Sequence, residues 1–207
     1  TSLRELPVLV VSALVLSIIV KTFLVQFFYI PSGSMENTLQ VNDRVGVNKF
    51  AALYSDIKRG EVVVFRDPAN WLSESYDDTT GIRKLVKETL VFVGILPDPA
   101  KQYLIKRVIG VGGDRVVCCN QEGNLEVNGI AIDEPYLNDY DLAQSNLDDR
   151  CRIPEMEATT VESGQLFVMG DNRPQSFDSR MFGTIDENLV IGRAFVIIWP
   201  LGSFNWL

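Results

Sequence analysis

The chain has 207 residues, of which 46% are hydrophobic and 22% are charged, and it contains no histidine. The missing histidine excludes the serine and cysteine hydrolases that use imidazole as their base, and the metal sites that need imidazole ligands. The formal net charge of -8 argues against a nucleic-acid partner, because binding to phosphates requires a basic surface.

The first predicted element is an apolar helix near the N-terminus. Residues 6–20 carry no charge, and after Lys21 a second uncharged stretch runs to residue 30. A bilayer core of about 30 Å needs about 20 apolar residues in a helix, so we expect a single-pass transmembrane anchor over residues 1–30. A core helix and a cleavable signal peptide are the alternatives, although the run ends in bulky aromatic residues rather than in the small residues of a cleavage site. The acidic remainder, residues 31–207, favours export from the cytoplasm.

Beyond the anchor, the sequence predicts a mostly β fold. β-Branched runs bounded by Asp, Gly and Pro are typical of short strands, and we expect an antiparallel sheet or barrel-like domain with insertions at about 67–101 and 120–162. Apolar residues at helical spacing predict one helix over residues 81–96. Its basic residues place it either on an anionic membrane surface or, with its basic face in solvent, on the sheet. The predicted strands are 44–47, 61–65, 103–111, 115–119, 125–127, 165–169 and 190–199.

Three segments carry candidate chemistry. Ser34 lies in a turn where Pro31 restricts the backbone and Gly33 allows close approach. Lys106 lies within an apolar strand, where alternation directs it either to solvent or to the interior. A buried lysine loses its charge readily, and a neutral lysine is the one general base left to a serine hydrolase without histidine. The third segment is the polar loop that follows strand 165–169 and begins with GDNR.

In combination, these segments resemble the type I signal peptidases, which are membrane-bound Ser-Lys endoproteases. The shared motifs are PSGSM after an apolar helix, NDRVGVNKF, KRVIGVGGD, and GDNR followed by SxDSR, in that order. The resemblance runs from about Phe27 to the C-terminus. The local sequence of the motifs is most similar to that of actinobacterial members. Asn42 and Gly112 stand where the family commonly has glycine and proline, which affects the shape of two loops.

The resemblance implies a role for each matching residue. Ser34 is the nucleophile and Lys106 the general base, while the Ser34 amide and the Ser32 hydroxyl form the oxyanion hole. Ser176 orients the Lys106 amine. Asp178 with Arg180, and Asp171 with Arg107, form structural ion pairs. The S1 and S3 pockets, which admit small residues of the Ala-x-Ala kind, are lined by Phe28, Ile30, Met35, Leu39, Val45, Leu104 and Ile105.

The resemblance also implies partners and a location. The expected substrates are exported preproteins that carry signal peptides, and we expect no cofactor, no metal and no nucleic acid. The expected location is the plasma membrane, with the catalytic domain on the extracytoplasmic side of the lipid bilayer. Two alternatives remain: a soluble, self-cleaving Ser-Lys protease, and a β-rich binding module in which Ser34 and Lys106 are surface residues.

The three cysteines are too few for a disulfide-built scaffold. Cys118 and Cys119 are adjacent, and a disulfide between neighbours is strained. If a bridge forms, we expect it to join Cys151 to one of the two, leaving an odd thiol, and the sequence does not decide which. A catalytic cysteine is disfavoured, because no histidine is present to activate it.

Overall fold

The computed structural model describes residues 5–68, 71, 103–120, 124–137 and 158–207. Within them the chain is mostly β, as predicted; the helix expected over residues 81–96 and parts of both insertions lie outside the described residues. The helices are α1 (Leu6–Phe23), α2 (Lys49–Tyr54) and α3 (Ser179–Phe182). The strands are β1 (Val25–Tyr29), β2 (Arg44–Asn48), β3 (Val62–Arg66), β4 (Tyr103–Val111), β5 (Arg115–Val117), β6 (Glu126–Val127), β7 (Ile130–Ala131), β8 (Thr159–Thr160), β9 (Gln165–Met169), β10 (Ile185–Asp186), β11 (Val190–Trp199) and β12 (Asn205–Trp206).

The described strands form two antiparallel sheets. The larger has eight strands in the order β1-β2-β11-β3-β4-β9-β10, with β12 paired to β11. The smaller has four strands in the order β7-β6-β5-β8. Strands β4, β9 and β11 keep their predicted bounds. Strands β7, β8, β10 and β12 were not predicted, because two residues are too few to show an alternating pattern.

Strand alternation divides the apolar residues of the large sheet between two faces. On β4, Ile105 packs on one face and Leu104 on the other. We call the two groups the inner and the outer cluster. The inner cluster contains Phe28, Ile30, Met35, Leu39, Val45, Val47, Val62, Val64, Ala194 and Ile197, with Tyr103, Ile105 and Ile191 packed against it. The outer cluster contains Ile57, Val63, Phe65, Val108, Leu166, Val168 and Ile185, with Trp71, Leu104, Val111, Leu189 and Val190 packed against it.

The N-terminal apolar run, for which we expect an anchor over residues 1–30, forms a helix and then a strand. Helix α1 ends at Phe23, and β1 pairs with β2 along all five of its residues. Valine, phenylalanine and tyrosine favour strands, and Phe28 packs into the inner cluster while Phe27 and Tyr29 stay exposed. Among the described residues, no helix meets the length and apolarity that a membrane crossing needs. The transmembrane anchor stays a prediction.

Candidate active site

The turn after β1 presents Ser34. Ser32 has an extended backbone and precedes a single 3-10 turn, Gly33–Met35. The Met35 side chain is fully buried in the inner cluster, which fixes the turn, whereas Ser34 is only half-buried. Amides in the first turn of a helix have no acceptor within the helix, so the Ser34 amide is available as a donor. The exposed Ser32 side chain makes no capping hydrogen bond.

Strand β4 brings Lys106 to this turn. Its side chain is among the largest fully buried ones, with 2% of the residue exposed. The Lys106 Nζ donates to Ser34 Oγ at 2.7 Å and to Ser176 Oγ at 3.0 Å. Burial lowers the pKa of Lys106 to about 8, although the negative charge of Asp178 opposes this. The amine therefore becomes neutral at mildly alkaline pH.

Asp178 lies behind Ser176 and is itself fully buried. Ser176 Oγ donates to Asp178 Oδ2 at 2.6 Å, and the amide of Gly170 donates to the same oxygen at 3.0 Å. Arg180 Nε donates to Asp178 Oδ1 at 2.8 Å. Burial alone would raise the pKa of Asp178, but the hydrogen bonds and charge of Arg180, together with the hydrogen bonds from Ser176 and the Gly170 amide, hold that pKa below its ordinary value. Because Ser176 gives its only proton to Asp178, its oxygen is left to accept from Lys106.

The second expected ion pair joins β4 to the same polar loop. Arg107 donates to both carboxylate oxygens of Asp171, at 2.9 and 2.7 Å. It also donates to the carbonyl of Gly60 at 2.7 Å and to Thr38 Oγ1 at 3.1 Å, and its guanidinium lies 3.9 Å from the centre of the Tyr136 ring. Bidentate pairing fixes orientation as well as distance, so this arginine locks the loop against the strand that carries Lys106.

Two residues with a positioning role were missed by the sequence analysis, although both lie in the GDNR motif. The Asn172 amide donates to the Ser34 carbonyl at 3.2 Å, and its side chain donates to the Gly33 carbonyl at 3.0 Å. A Cβ on Gly170 would lie 2.3 Å from both Ser176 Oγ and the Ser34 carbonyl oxygen. The loop thus holds the Ser34 turn through contacts that only the folded chain creates.

Most of the expected pocket residues lie together. The inner cluster contains Phe28, Ile30, Met35, Leu39, Val45 and Ile105. Leu104 is the exception, because it precedes Ile105 on β4 and therefore points to the opposite face of the sheet, where it packs against the outer cluster.

The structure shows which of the two adjacent cysteines forms a disulfide bond. Cys119 is disulfide-bonded, whereas Cys118 keeps a free and buried thiol. The neighbouring cysteines are therefore not bridged to each other, and the expected partner, Cys151, lies outside the described residues. Burial raises the pKa of Cys118 to about 11, which keeps that thiol protonated and unreactive.

Comparison with known proteins assigns the family. The family model described as "Signal peptidase, peptidase S26" matches residues 3–199. "Signal peptidase I" of Mycobacterium tuberculosis is 37% identical, over 97% of this chain and 74% of that protein. "Probable signal peptidase I" of Mycobacterium leprae is 36% identical, over 99% and 81%. A solved signal peptidase I from Enterococcus faecalis superposes with a TM-score of 0.43 at 24% identity, covering 67% of this chain and 97% of that one.

These matches confirm the resemblance drawn from the motifs, including its actinobacterial character. "Signal peptidase IB" of Staphylococcus aureus also matches, at 32% identity over 99% of this chain and 93% of that protein. The chain therefore belongs to the signal peptidase family, peptidase S26, and is a serine peptidase of the signal peptidase I type.

Proposed function

We propose that this chain removes signal peptides from exported preproteins, with Ser34 as the nucleophile and Lys106 as the general base. The observation that carries the proposal is the contact of 2.7 Å between Lys106 Nζ and Ser34 Oγ, made by a buried amine whose pKa burial lowers to about 8. A serine hydroxyl needs an adjacent base to become an effective nucleophile, and a neutral amine at this distance is such a base.

In the acylation step, the lone pair of the neutral Lys106 amine takes the proton of Ser34 as its Oγ attacks the scissile carbonyl. One N–H of the amine stays bonded to Ser176 Oγ, which aims the lone pair at Ser34. The Ser34 amide and the Ser32 hydroxyl donate to the carbonyl oxygen as it becomes negative. Removing one such donor typically costs about 10²–10³ in turnover.

The protonated Lys106 then gives its proton to the nitrogen of the leaving segment, and the bond between the carbonyl carbon and that nitrogen breaks. The mature protein leaves as the amine product, and the signal peptide stays as an ester on Ser34. A water molecule then gives a proton to Lys106 as its oxygen attacks the ester carbonyl. The bond between the carbonyl carbon and Ser34 Oγ breaks, Lys106 returns the proton to Ser34 Oγ, and the signal peptide leaves with a free carboxyl group. One lysine therefore acts as base and acid in turn.

The inner cluster supports a preference for small residues before the cleavage site. Phe28, Ile30, Met35 and Ile105 are apolar, and all but Ile105 are nearly fully buried. Apolar walls of this kind favour small, uncharged substrate residues and exclude large ones sterically. We assign the Ala-x-Ala pockets to this cluster, without Leu104.

Exposed aromatic residues also support catalysis at a membrane surface. We assign α1 as the single-pass anchor and the plasma membrane as the location, with the catalytic domain outside the cytoplasm. Exposed aromatic side chains on β1 and near the C-terminus, among them Phe27, Tyr29, Trp199 and Trp206, are of the kind that favours the membrane interface. A substrate whose signal peptide is still in the bilayer meets an anchored enzyme at a raised effective concentration.

A cleavage assay with membranes and a purified preprotein tests the proposal. Ser34→Ala and Lys106→Ala should each reduce processing to the uncatalysed level while the protein still unfolds cooperatively. Lys58→Ala is the matched control, because Lys58 is an exposed lysine, whereas Lys106 is buried. Normal processing by either of the first two variants would refute the assignment of the pair.

A further inference from the structure

Exposed aromatic side chains lie on the face of the sheet that carries the outer cluster. The Trp71 ring stacks on that of Phe182, with centroids 5.0 Å apart, and Phe177 lies 6.4 Å from Phe182. Trp71 also meets the buried ring of Phe65 edge-on at 6.0 Å. Phe177 and Phe182 are 51% and 43% exposed. We call Trp71, Phe177 and Phe182 the outer aromatic patch; contiguous exposed apolar surface of this kind commonly marks a binding site.

The outer cluster links the patch to the strand that carries Lys106. Leu104 and Lys106 lie on the same face of β4, two residues and therefore about 7 Å apart. Leu104 pairs with Phe65 on β3 and packs, together with Trp71, against the outer cluster. Leu104 and Trp71 therefore pack on the same buried cluster, and Trp71 in turn stacks on the exposed ring of Phe182.

The chemistry of the proposed reaction indicates which half of the substrate faces this surface. The nitrogen of the leaving segment must come within hydrogen-bonding distance of Lys106 Nζ to receive its proton. The inner cluster, on the opposite face of β4, takes the residues before the scissile bond. The residues after that bond are therefore directed along the lysine face of β4, toward Leu104 and the outer aromatic patch.

We infer that the outer aromatic patch binds the first residues of the mature segment, on the carboxyl side of the scissile bond, and favours apolar side chains there. The inference rests on the proposed function, because it uses Lys106 as the donor to the leaving nitrogen. It adds a second specificity surface to the pockets for small residues before the cut.

Two peptides that share the same signal-peptide half test this inference. One continues past the cut with a mature segment containing leucine and phenylalanine, and the other ends at the cut in an aminocoumarin amide. Phe182→Ser should lower kcat/KM about tenfold on the long peptide, which is the loss expected for one aromatic contact. It should leave kcat/KM on the short substrate within about twofold of wild type.

Two further variants make the comparison secure. Phe182→Leu keeps an apolar side chain and should recover most of the rate on the long peptide, even if the serine variant folds poorly. Phe50→Ser is the matched control, because Phe50 is also an exposed phenylalanine, at 50%. It lies on α2, at one end of the β1–β2 pair, whereas the Ser34 turn lies at the other end. It should leave both rates unchanged.

Three outcomes would overturn the inference. Equal losses on both substrates would show that Phe182 acts on the site itself, and unchanged rates on both would show that the patch touches no substrate. Unchanged rates combined with lost binding to vesicles of anionic lipid would identify a membrane surface instead. Failure of the proposed function is distinguishable, because wild-type protein would then cleave neither substrate or Ser34→Ala would cleave both.

Discussion

Asp178 and Asp114 are both buried and each pairs with an arginine, in surroundings that differ in their access to water. Asp178 lies beside Lys106 and pairs with Arg180 at 2.8 Å, and the Arg180 side chain is 1% exposed. Asp114 lies between β4 and β5 and pairs with Arg59, whose side chain is 48% exposed. Each aspartate also accepts a backbone amide, from Gly170 and from Val111 respectively.

The difference shows that an Asp–Arg ion pair can serve two purposes, depending on its exposure to water. Around Asp114, water screens the charges, so the pair and its hydrogen bonds tie a surface turn to the sheet. Around Asp178, there is no such screening, and an unpaired carboxylate would hold Lys106 in its charged form. Arg180 balances that carboxylate, so burial decides the pKa of Lys106 and lowers it to about 8. The predictions below test this contrast.

The largest effect is expected for Arg180→Ala. Removing the arginine leaves the charge of Asp178 buried without a cation, and breaking a buried pair in this way typically costs about 3–5 kcal/mol. Urea unfolding of the variant and the wild type measures the loss. The double variant Arg180→Ala with Asp178→Asn removes both charges and should be less destabilised than Arg180→Ala alone. A loss of unfolding free energy below about 1 kcal/mol in the single variant would contradict the proposed difference between the buried and the half-exposed ion pair.

The pH dependence of cleavage should report the neutral form of Lys106. Because burial lowers its pKa to about 8, the amine is mostly neutral above pH 8 and mostly protonated below it. Activity should therefore fall about tenfold for each pH unit below 8, or about 10³-fold between pH 8 and pH 5. The measurement is kcat/KM for a soluble peptide substrate across that range. A flat profile down to pH 5 would exclude Lys106 as the base.

Much of this site is predictable from the order of the motifs. Ser34, Lys106 and Ser176 were assigned together from sequence, and they meet through contacts of 2.7 and 3.0 Å. The orientation of Lys106 was not predictable, because alternation allows either face of β4 and only the packing of the 170–180 loop selects one. The position of Leu104, by contrast, was predictable. Since neighbours on a strand point to opposite faces, alternation alone shows that Leu104 and Ile105 do not line the same pocket.

The end of helix α1 was harder to predict for a physical reason. Residues 24–30 continue the apolar composition of the helix, so composition shows no boundary. The strand exists because β2 offers a partner along its full length, which is tertiary information. The role of Gly170 has the same origin, because the atoms that exclude a Cβ there belong to Ser34 and Ser176.

Gly170→Ala should reduce activity and lower the free energy of unfolding by about 1–3 kcal/mol, the usual cost of overpacking a buried position. The added Cβ would lie 2.3 Å from the Ser34 carbonyl oxygen and from Ser176 Oγ, so the nucleophile and the residue that orients the base must both move. Displacements of about 1 Å in an active site cost about 10²-fold, and we expect a loss of kcat of that order. Gly202→Ala is the control, because nothing lies within 4 Å of a Cβ there. Similar activity in the two variants would contradict the tight packing of the loop.

The smallest effect is expected for Arg59→Ala. Arg59 is about half exposed, and exposed ion pairs contribute only about 0–1 kcal/mol. Asp114 would keep its hydrogen bonds from the Val111 amide at 2.9 Å and from Asn128 at 3.0 Å, and water would reach the side that the arginine leaves. Unfolding at low and at high salt provides the measurement, because screening should shrink the difference from wild type as salt is added. A loss as large as that of Arg180→Ala, unaffected by salt, would mean that exposure of the arginine does not distinguish the two pairs.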